Sequence, residues 1–341
     1  IRAENQTKAL NRIKNNADKY NINLDKYYER ICPLIGDLNL PQFGLEEKQW
    51  QNITETISNI YHCGGIVNMV KSYEELKSTN FQGTQEIIKL ACINTRKKVN
   101  FASTLSVFVA TDQNYGICDE NDYLTHTKLV YGGYAQSKWI AEYFIHQIPK
   151  HILDINIFRL GLLTGHSQTG KSADHDYLIM FIKGLSEIGC IPVNYDNITL
   201  DVTPVDYAAK AMIYLSLLPE SQCYHLANNQ GFDLQMIVDV LNEKGGNIQE
   251  TTINNWLKEV YNKGIEKSHI SAAYLALCRL IPEDERFIRY RTMDLFQSTN
   301  MIFNQDNVKK GLRETNIVCP QPNQQLLEKY ITFSQIMRDR K

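Results

Sequence analysis

The 341-residue chain lacks the sequence signatures of several functional classes. Its eight cysteines form no CxxC pair, and it contains no HxxxH or HExxH sequence, so no metal site is predicted. The formal net charge is only −2, which gives no electrostatic reason to expect nucleic acid or an anionic membrane as a partner. No apolar run approaches the roughly 20 residues of a membrane span. We therefore expect a cytoplasmic protein with reduced thiols.

The first half of the chain alternates between helix-like and strand-like segments. This alternation predicts right-handed crossovers and an α/β fold, with a Rossmann-type, doubly wound parallel sheet. Beyond residue 161 the alternation loosens, and after about residue 250 the pattern is mostly helical. The helical segments are 4–20, 45–57, 79–94, 134–148, 175–188, 204–218 and 233–244, and the strand segments are 31–37, 59–65, 98–108, 155–161 and 223–228.

Four of the predicted strands end in glycine or polar residues. In a doubly wound sheet the ligand lies across the carboxyl ends of the strands, so we expect these ends to meet at one crevice. They are Gly36-Asp37, Cys63-Gly64-Gly65, Ser103-Thr104 and Arg159-Leu160-Gly161.

A tyrosine and a lysine four residues apart, Tyr134 and Lys138, lie in the sequence YGGYAQSKWIAEYF. At this spacing both side chains share one helical face, and the cation favours the phenolate, which suits the tyrosine to proton transfer. Tyr73 and Lys77 have the same spacing in SYEELKST. No strand bearing Ser or Thr precedes that second pair at a suitable distance, so we interpret it as a solvated helical pair.

Several further positions have both a functional and a structural interpretation. Thr104 suits a hydrogen bond to a substrate carbonyl, or a turn after its strand. Asp37 could accept a hydrogen bond from a cofactor amine, or it could cap the next turn. Gly64-Gly65 could let the backbone approach a ligand closely, or it could form an ordinary loop turn. Arg2 could bind a ribose 2′-phosphate, or it could be an ordinary solvated arginine. Asn80 suits a helix cap or the orientation of a water near the active-site lysine.

Eight segments together resemble an extended short-chain dehydrogenase/reductase. More narrowly, they resemble the thioester reductase domain of nonribosomal peptide and polyketide synthetases, of carboxylic acid reductases and of aminoadipate reductase. The segments are IRA at 1–3, GDLNLPQFGLEEKQW at 36–50, IYHCGGIVN at 60–68, TNFQGTQEIIKLA at 79–91, FASTLSVF at 101–108, YGGYAQSKWIAE at 131–142, FRLGLLTGHSQTG at 158–170 and DVTPVDYAAKAMIYLS at 201–216.

The resemblance implies roles for individual residues. The catalytic triad is Thr104, Tyr134 and Lys138, and Lys138 also holds the nicotinamide ribose. Arg2 matches the arginine that binds the 2′-phosphate, so the implied cofactor is NADPH. The remaining implied cofactor-binding residues are Asp37 and Leu38 beside the adenine, Cys63, Gly64 and Gly65 near the ribose and pyrophosphate, and Asn80, Gly161 and Leu162.

The resemblance also implies an activity. It is the NADPH-dependent reduction of an acyl or peptidyl thioester, held on the phosphopantetheine arm of a carrier protein, to an aldehyde and, with a second hydride, to an alcohol. Residues 1–170 are then the cofactor-binding portion, and 171–341 mainly face the substrate and the carrier. The family has Asn-Gly-Ala in place of Cys63-Gly64-Gly65, and Arg-Pro-Gly in place of Arg159-Leu160-Gly161.

The resemblance further implies that a first strand and a glycine-rich phosphate turn precede Ile1. Two alternatives remain open at this point. One is a fatty acyl-CoA reductase, which would differ in its upstream sequence and its tail. The other is a non-catalytic scaffold, which is the better interpretation if Ile1 is the true start of the protein.

Overall fold

A computed structural model describes residues 1–68, 71–108, 115–124, 130, 132–193, 198–277 and 300–334. It divides into two compact units, one of residues 1–103 and 132–157, the other of residues 104–131 and 158–341. The predicted division at residue 170, which is by function, stays a prediction.

The helices and strands of the described residues are numbered in chain order. The helices are α1 (Gln6–Lys19), α2 (Glu47–Thr56), α3 (Tyr73–Lys77), α4 (Gly83–Cys92), α5 (Gly133–His146), α6 (Tyr177–Ile188), α7 (Val205–Ser216), α8 (Leu234–Glu243), α9 (Ile253–Lys263), α10 (Ser268–Leu277), α11 (Asp306–Leu312) and α12 (Gln324–Ser334). The strands are β1 (Asn59–His62), β2 (Lys98–Thr104), β3 (Tyr115–Cys118), β4 (Ile155–Leu160), β5 (Leu163–Thr164), β6 (Cys190–Pro192), β7 (Thr199–Asp201), β8 (Thr203–Pro204), β9 (Cys223–Leu226), β10 (Gly231–Asp233), β11 (Gln249–Thr251) and β12 (Asn300–Phe303).

The first unit is built around β1 and β2, which pair in parallel from Asn59 opposite Lys98 to His62 opposite Phe101. Val99, Asn100 and Phe101 are consecutive and all fully buried, as in a strand that is covered on both faces. The four-stranded sheet has the order β1-β2-β4-β9, and β4 begins in the first unit and continues into the second. The predicted parallel sheet with flanking helices is confirmed.

The helix predicted over 79–94 begins earlier, at Tyr73. Ser72 caps it, because the Ser72 hydroxyl accepts from the Glu75 amide and the Glu75 carboxylate accepts from the Ser72 amide. A π-helical turn, Ser78–Gln82, joins α3 to α4. The predicted helix cap at Thr79 or Asn80 is therefore wrong, since both residues are buried inside a continuous helical segment.

Two strand predictions and one loop prediction differ from the structure. Residues 31–37 form neither helix nor strand, and Pro33 has no amide to donate to a ladder; the Gly36 amide bonds the Ile1 carbonyl instead. The strand predicted over 98–108 ends at Thr104, and a 3₁₀ turn follows. The loop predicted up to residue 129 contains β3, which pairs in parallel with β12.

The second unit contains an extensive hydrophobic cluster of buried residues. Side chains from α6, α8, α9, α10 and α12 meet there, with Trp256, Phe181 and Leu185 fully buried. Three short strand pairs accompany it: β11 with β6 and β5 with β8, both parallel, and β10 with β7, antiparallel. Among the described residues no helix has both the length and the apolar character needed to cross a membrane.

Candidate active site

Lys138 is a buried ammonium on α5, facing the end of β2. Its side chain is 6% exposed, and its Nζ donates to the Ala102 carbonyl at 2.6 Å and lies 4.1 Å from the centre of the Phe101 ring. Burial lowers its pKa from 10.5 to about 8, while the negative charge of Glu142 and the Cys63 thiol act in the opposite direction. The Lys138 ammonium is therefore held in one position and is largely shielded from solvent.

Helix α5 begins in close contact with α3. Gly133 is its first residue, and a Cβ there would lie 2.3 Å from the Lys71 carbonyl oxygen, so only glycine fits this approach. Tyr134 follows, half-buried, and its carbonyl accepts the hydroxyl hydrogen of Ser137 at 2.7 Å. Tyr134 and Lys138 thus lie one turn apart on a helix whose start is fixed by backbone packing.

Thr104 is the last residue of β2, two positions after Ala102 in the sequence. It is 8% exposed, and its Oγ1 lies 2.9 Å from Ser106 Oγ and accepts from the Ser106 amide at 3.2 Å. This is the strand-end turn of the structural interpretation. The catalytic role of Thr104 stays a prediction.

An open cleft of about 1110 Å³ lies in the first unit. It brings together residues that are far apart in the sequence: Arg2, Gly36, Leu38 and Gly64-Gly65 all line it. Helix α1 forms the other wall with amide and basic side chains. The cleft therefore joins three of the segments that the sequence analysis marked as cofactor-facing.

Arg2 and Asp37 form an ion pair at the cleft. The Arg2 guanidinium donates to Asp37 Oδ1 at 2.8 Å, and the Asn39 amide donates to the same oxygen at 2.9 Å. These bonds hold the pKa of the Asp37 carboxyl below its usual value, the Arg2 bond contributing most. The Arg2 side chain remains 56% exposed, so an anion in the cleft has access to it.

The glycine turn after β1 is exposed and packs against Leu38. Gly64 and Gly65 are exposed, and a Cβ at Gly64 would lie 2.7 Å from the Leu38 side chain. Next to them, desolvation by neighbouring protein atoms raises the pKa of the Cys63 thiol, against the effect of Lys138. His62 is buried, with a pKa lowered to about 3 mainly by desolvation, so it is neutral near pH 7.

Asn80 lies behind this turn, 2% exposed. Its Oδ1 accepts from the Ile66 amide at 2.8 Å, and its Nδ2 donates to the Ile66 carbonyl at 3.0 Å and to Ser137 Oγ at 2.9 Å. All three of these partners are protein groups, and the predicted cofactor or water contact of Asn80 stays a prediction. Asn80 thus bonds both the turn after β1 and α5.

Gly161 and Leu162 lie in the second unit. The Gly161 amide donates to the Leu226 carbonyl, and the Leu162 carbonyl accepts from the Thr203 amide, both at 2.9 Å. A Cβ at Gly161 would lie 2.8 Å from both Ala227 Cβ and Thr203 Oγ1, so close backbone packing requires glycine there. Their cofactor role stays a prediction.

Two residues that matter to the site were not predicted from the sequence. Arg12 of α1 lines the cleft, and its guanidinium donates to the Arg2 carbonyl at 2.8 Å. Glu142 is fully buried and accepts from Ser103 Oγ at 2.5 Å. The signal for Arg12 was its spacing of four from Lys8, which places two basic side chains on one face of α1.

The chain was compared with known proteins. Residues 1–212 match the family model of an NAD-binding domain described as male sterility protein. The crystal structure of the terminal R domain from the myxalamid PKS-NRPS biosynthetic pathway is 30% identical, with a TM-score of 0.84, and the alignment covers 98% of this chain and 82% of that one.

Two further similarities concern larger proteins. A linear gramicidin synthase of Brevibacillus parabrevis is 27% identical over 336 residues, which are 98% of this chain and 6% of that protein. A thiolation-reductase di-domain from an archaeal nonribosomal peptide synthetase shares the fold at a TM-score of 0.75 and 19% identity, over 99% of this chain and 69% of that one. The chain thus spans a small part of its curated relative.

Proposed function

Because this chain belongs to the male sterility protein family of NAD-binding domains, we propose that it reduces a carrier-bound acyl or peptidyl thioester and releases the product as an aldehyde. The chain is an NAD(P)-binding oxidoreductase domain, and its relatives favour neither a fatty acyl-CoA reductase nor a non-catalytic scaffold. The observation that carries the proposal is Lys138, a buried ammonium held one helical turn from Tyr134.

The cleft of the first unit fits the adenosine end of a dinucleotide. Gly64 is exposed and lines the cleft, so a ligand in the cleft has access to the backbone at this point. Arg2 and Arg12 bring two guanidinium groups to the same cleft. Guanidinium groups match phosphate geometry, which supports NADPH as the cofactor. Asp37 and Leu38 would then border the adenine.

When bound, the nicotinamide cofactor supplies a hydride to the thioester carbonyl carbon. Tyr134 donates the proton that the carbonyl oxygen needs as its charge develops, and Lys138 stabilises the resulting phenolate. The product of this addition is a hemithioacetal, which collapses when its C–S bond breaks and yields an aldehyde and the free thiol. The family pattern gives Thr104 a second hydrogen bond to the same oxygen.

The proposed partner is a carrier protein with a phosphopantetheine arm. The archaeal relative joins a thiolation domain to this fold, which supports an acyl group delivered as a thioester. The acyl or peptidyl group is the part of the substrate that varies among synthetases. The thioester and its pantetheine arm are the shared chemistry that a test should use.

The test is NADPH oxidation with an acyl-pantetheine substrate, in the complete natural polypeptide. Tyr134→Phe removes only the hydroxyl, so kcat should fall by about 100-fold or more while NADPH binding stays the same. Arg2→Ala should weaken NADPH binding about tenfold or more and leave NADH binding unchanged. Undiminished turnover in Tyr134→Phe would overturn the assignment, and equal losses for both cofactors in Arg2→Ala would remove the 2′-phosphate role.

A further inference from the structure

We propose that Glu86 of α4 is a positioning residue for the cofactor cleft, because its carboxylate holds the left-handed turn Pro41–Gly44 that supports Asp37. The Gln42 amide donates to Glu86 Oε2 at 2.7 Å, across 44 positions of the chain. The inference rests on the proposed function, since it concerns residues that are assigned there to the adenosine end of the cofactor.

The turn Pro41–Gly44 holds two large side chains in a backbone conformation that favours glycine. Gln42 has a φ of 50° and Phe43 a φ of 59°. In the described part of the chain, the other non-glycine residues with a positive φ are Asn21 and Asn94, and asparagine tolerates this region. Glutamine and phenylalanine do not favour it, so contacts from outside the turn must hold the backbone in place.

Two such contacts reach the turn. The Glu86 carboxylate makes the bond to the Gln42 amide charge-assisted, and the Glu86 side chain is only 22% exposed, so this bond is partly shielded from water. The Phe43 ring packs edge-on against the buried ring of Trp50, with the ring centres 5.8 Å apart. Trp50 lies on α2 and Glu86 on α4, so two helices fix the turn together.

The left-handed turn supports residues at the cleft. The Asp37 amide donates to the Phe43 carbonyl at 2.9 Å, and a Cβ at Gly36 would lie 2.8 Å from the same carbonyl oxygen. Asp37 forms the ion pair with Arg2, and Gly36 lines the cleft. A continuous path of contacts thus runs from Glu86 through the turn to the guanidinium that is proposed to bind the 2′-phosphate.

Helix α4 contacts the same loop at a second point. A Cβ at Gly83 would lie 3.1 Å from the Leu38 carbonyl oxygen, so Leu38 packs directly against the helix, and Glu86 follows three residues later on the same face. Loss of the Glu86 bond should let the strained turn relax and move Asp37 and Leu38. Because the adenine and the 2′-phosphate both depend on this loop, binding of every adenosine-containing ligand should weaken.

The test compares cofactor binding with turnover in the complete natural polypeptide. In Glu86→Ala the NADPH Kd, measured by titration calorimetry per folded molecule, should rise about tenfold, and the Kd values of NADH and adenosine 2′,5′-bisphosphate should rise by a similar factor. At saturating NADPH, kcat should stay within about twofold of wild type, because Tyr134 and Lys138 are untouched. Glu86→Gln keeps an acceptor oxygen, so its NADPH Kd should stay within about threefold.

Glu74→Ala is the matched control. Glu74 lies 3.8 Å from Lys77, and Glu86 lies 3.8 Å from Lys89, each pair being three residues apart on a helix. Both substitutions remove one such ion pair, but only Glu86→Ala also removes the bond to the strained turn. Glu74→Ala should therefore leave every Kd within about twofold. An equal rise of the NADPH Kd in both variants would overturn the proposal.

A glycine in the turn gives a readout that depends on the strain itself. Gln42→Gly keeps the amide that Glu86 binds and permits a positive φ, so it should raise the urea midpoint. Combined with Glu86→Ala, it should restore at least half of the lost NADPH affinity on a logarithmic scale, whereas Asn21→Gly, which relieves a positive φ outside this turn, should restore none.

Two results would overturn the proposal directly. One is an NADPH Kd within about twofold of wild type in Glu86→Ala, and the other is no recovery when Gln42→Gly is added to it. Absence of NADPH binding and turnover in the wild-type protein would instead contradict the proposed function. The rise in urea midpoint in Gln42→Gly needs no cofactor, so it tests the strained turn separately.

Discussion

The burial of Lys138 predicts an unusually early loss of activity on the alkaline side. Its pKa of about 8 means that the ammonium next to Tyr134 in the helix is lost as the pH rises through 8, where an ordinary lysine stays charged. The lowering from 10.5 to about 8 corresponds to a net of about 3 kcal/mol, because desolvation outweighs the opposing charges of Glu142 and Cys63. The facing His62 is neutral in this range.

The expected profile follows from these values. At pH 9 a lysine with a pKa of about 8 is about 10% protonated, whereas one with a pKa of 10.5 is about 97% protonated. We therefore expect kcat/KM for NADPH-dependent thioester reduction to fall about tenfold per pH unit above 8. The assay is initial-rate NADPH oxidation between pH 6 and about 9.5 at constant ionic strength.

A substitution at Glu142 should move the alkaline limb of the pH profile, which is the pH range in which kcat/KM falls. Its negative charge raises the pKa of Lys138, so Glu142→Gln should shift the alkaline limb to lower pH. The matched control is Glu74→Gln, whose side chain is 76% exposed on α3 and should leave the limb in place. The link between the burial of Lys138 and its lowered pKa would be refuted by either of two results. One is a fall of kcat/KM that begins only near the ordinary lysine pKa, and the other is an alkaline limb that Glu142→Gln leaves in place.

Two further substitutions probe the packing of the first unit. Lys97 is fully buried, and its Nζ donates to three backbone carbonyls. Lys97→Met should therefore lower the free energy of unfolding by about 3 kcal/mol, measured by urea titration. The control is Lys89→Met: the Lys89 side chain is 48% exposed, and its loss should change the free energy of unfolding by less than about 0.5 kcal/mol. Gly133→Ala places a Cβ 2.3 Å from the Lys71 carbonyl oxygen and should cost about 1–3 kcal/mol together with part of kcat. Gly132→Ala, where the space is open and only the φ of +83° is strained, should cost less and spare kcat; the opposite order would contradict the packing argument.

Local pattern was a good guide wherever a segment had a clear period. The helix around Tyr134 and Lys138 was predicted to residue 148 and ends at His146, and β1 and β4 fall inside their predicted segments. The pattern failed at 31–37, where an apolar run flanks Pro33 and stays irregular. It also placed a helix start at Thr79 or Asn80, because an asparagine in sequence suggests a cap, whereas this one is buried and bonded to distant residues.

The two Tyr-Lys pairs show the limit of spacing. Both lie on helices, as spacing predicted, and Lys77 even faces the Tyr73 ring at 5.8 Å. Lys77 is 39% exposed and lies 3.8 Å from Glu74, so it behaves as a solvated surface cation. Burial against β2 is what distinguishes Lys138, and burial depends on strands far away in the sequence.

The sequence by itself determined the alternation of helices and strands, the position of Tyr134 and Lys138 on one helix, and the family resemblance, because these depend on residue type at short spacing. Only the tertiary structure decided the lowered pKa of Lys138, the wall that Arg12 adds to the cleft, and the bonds of Asn80. Desolvation and hydrogen-bond geometry depend on which distant segments pack together, and no local pattern encodes them.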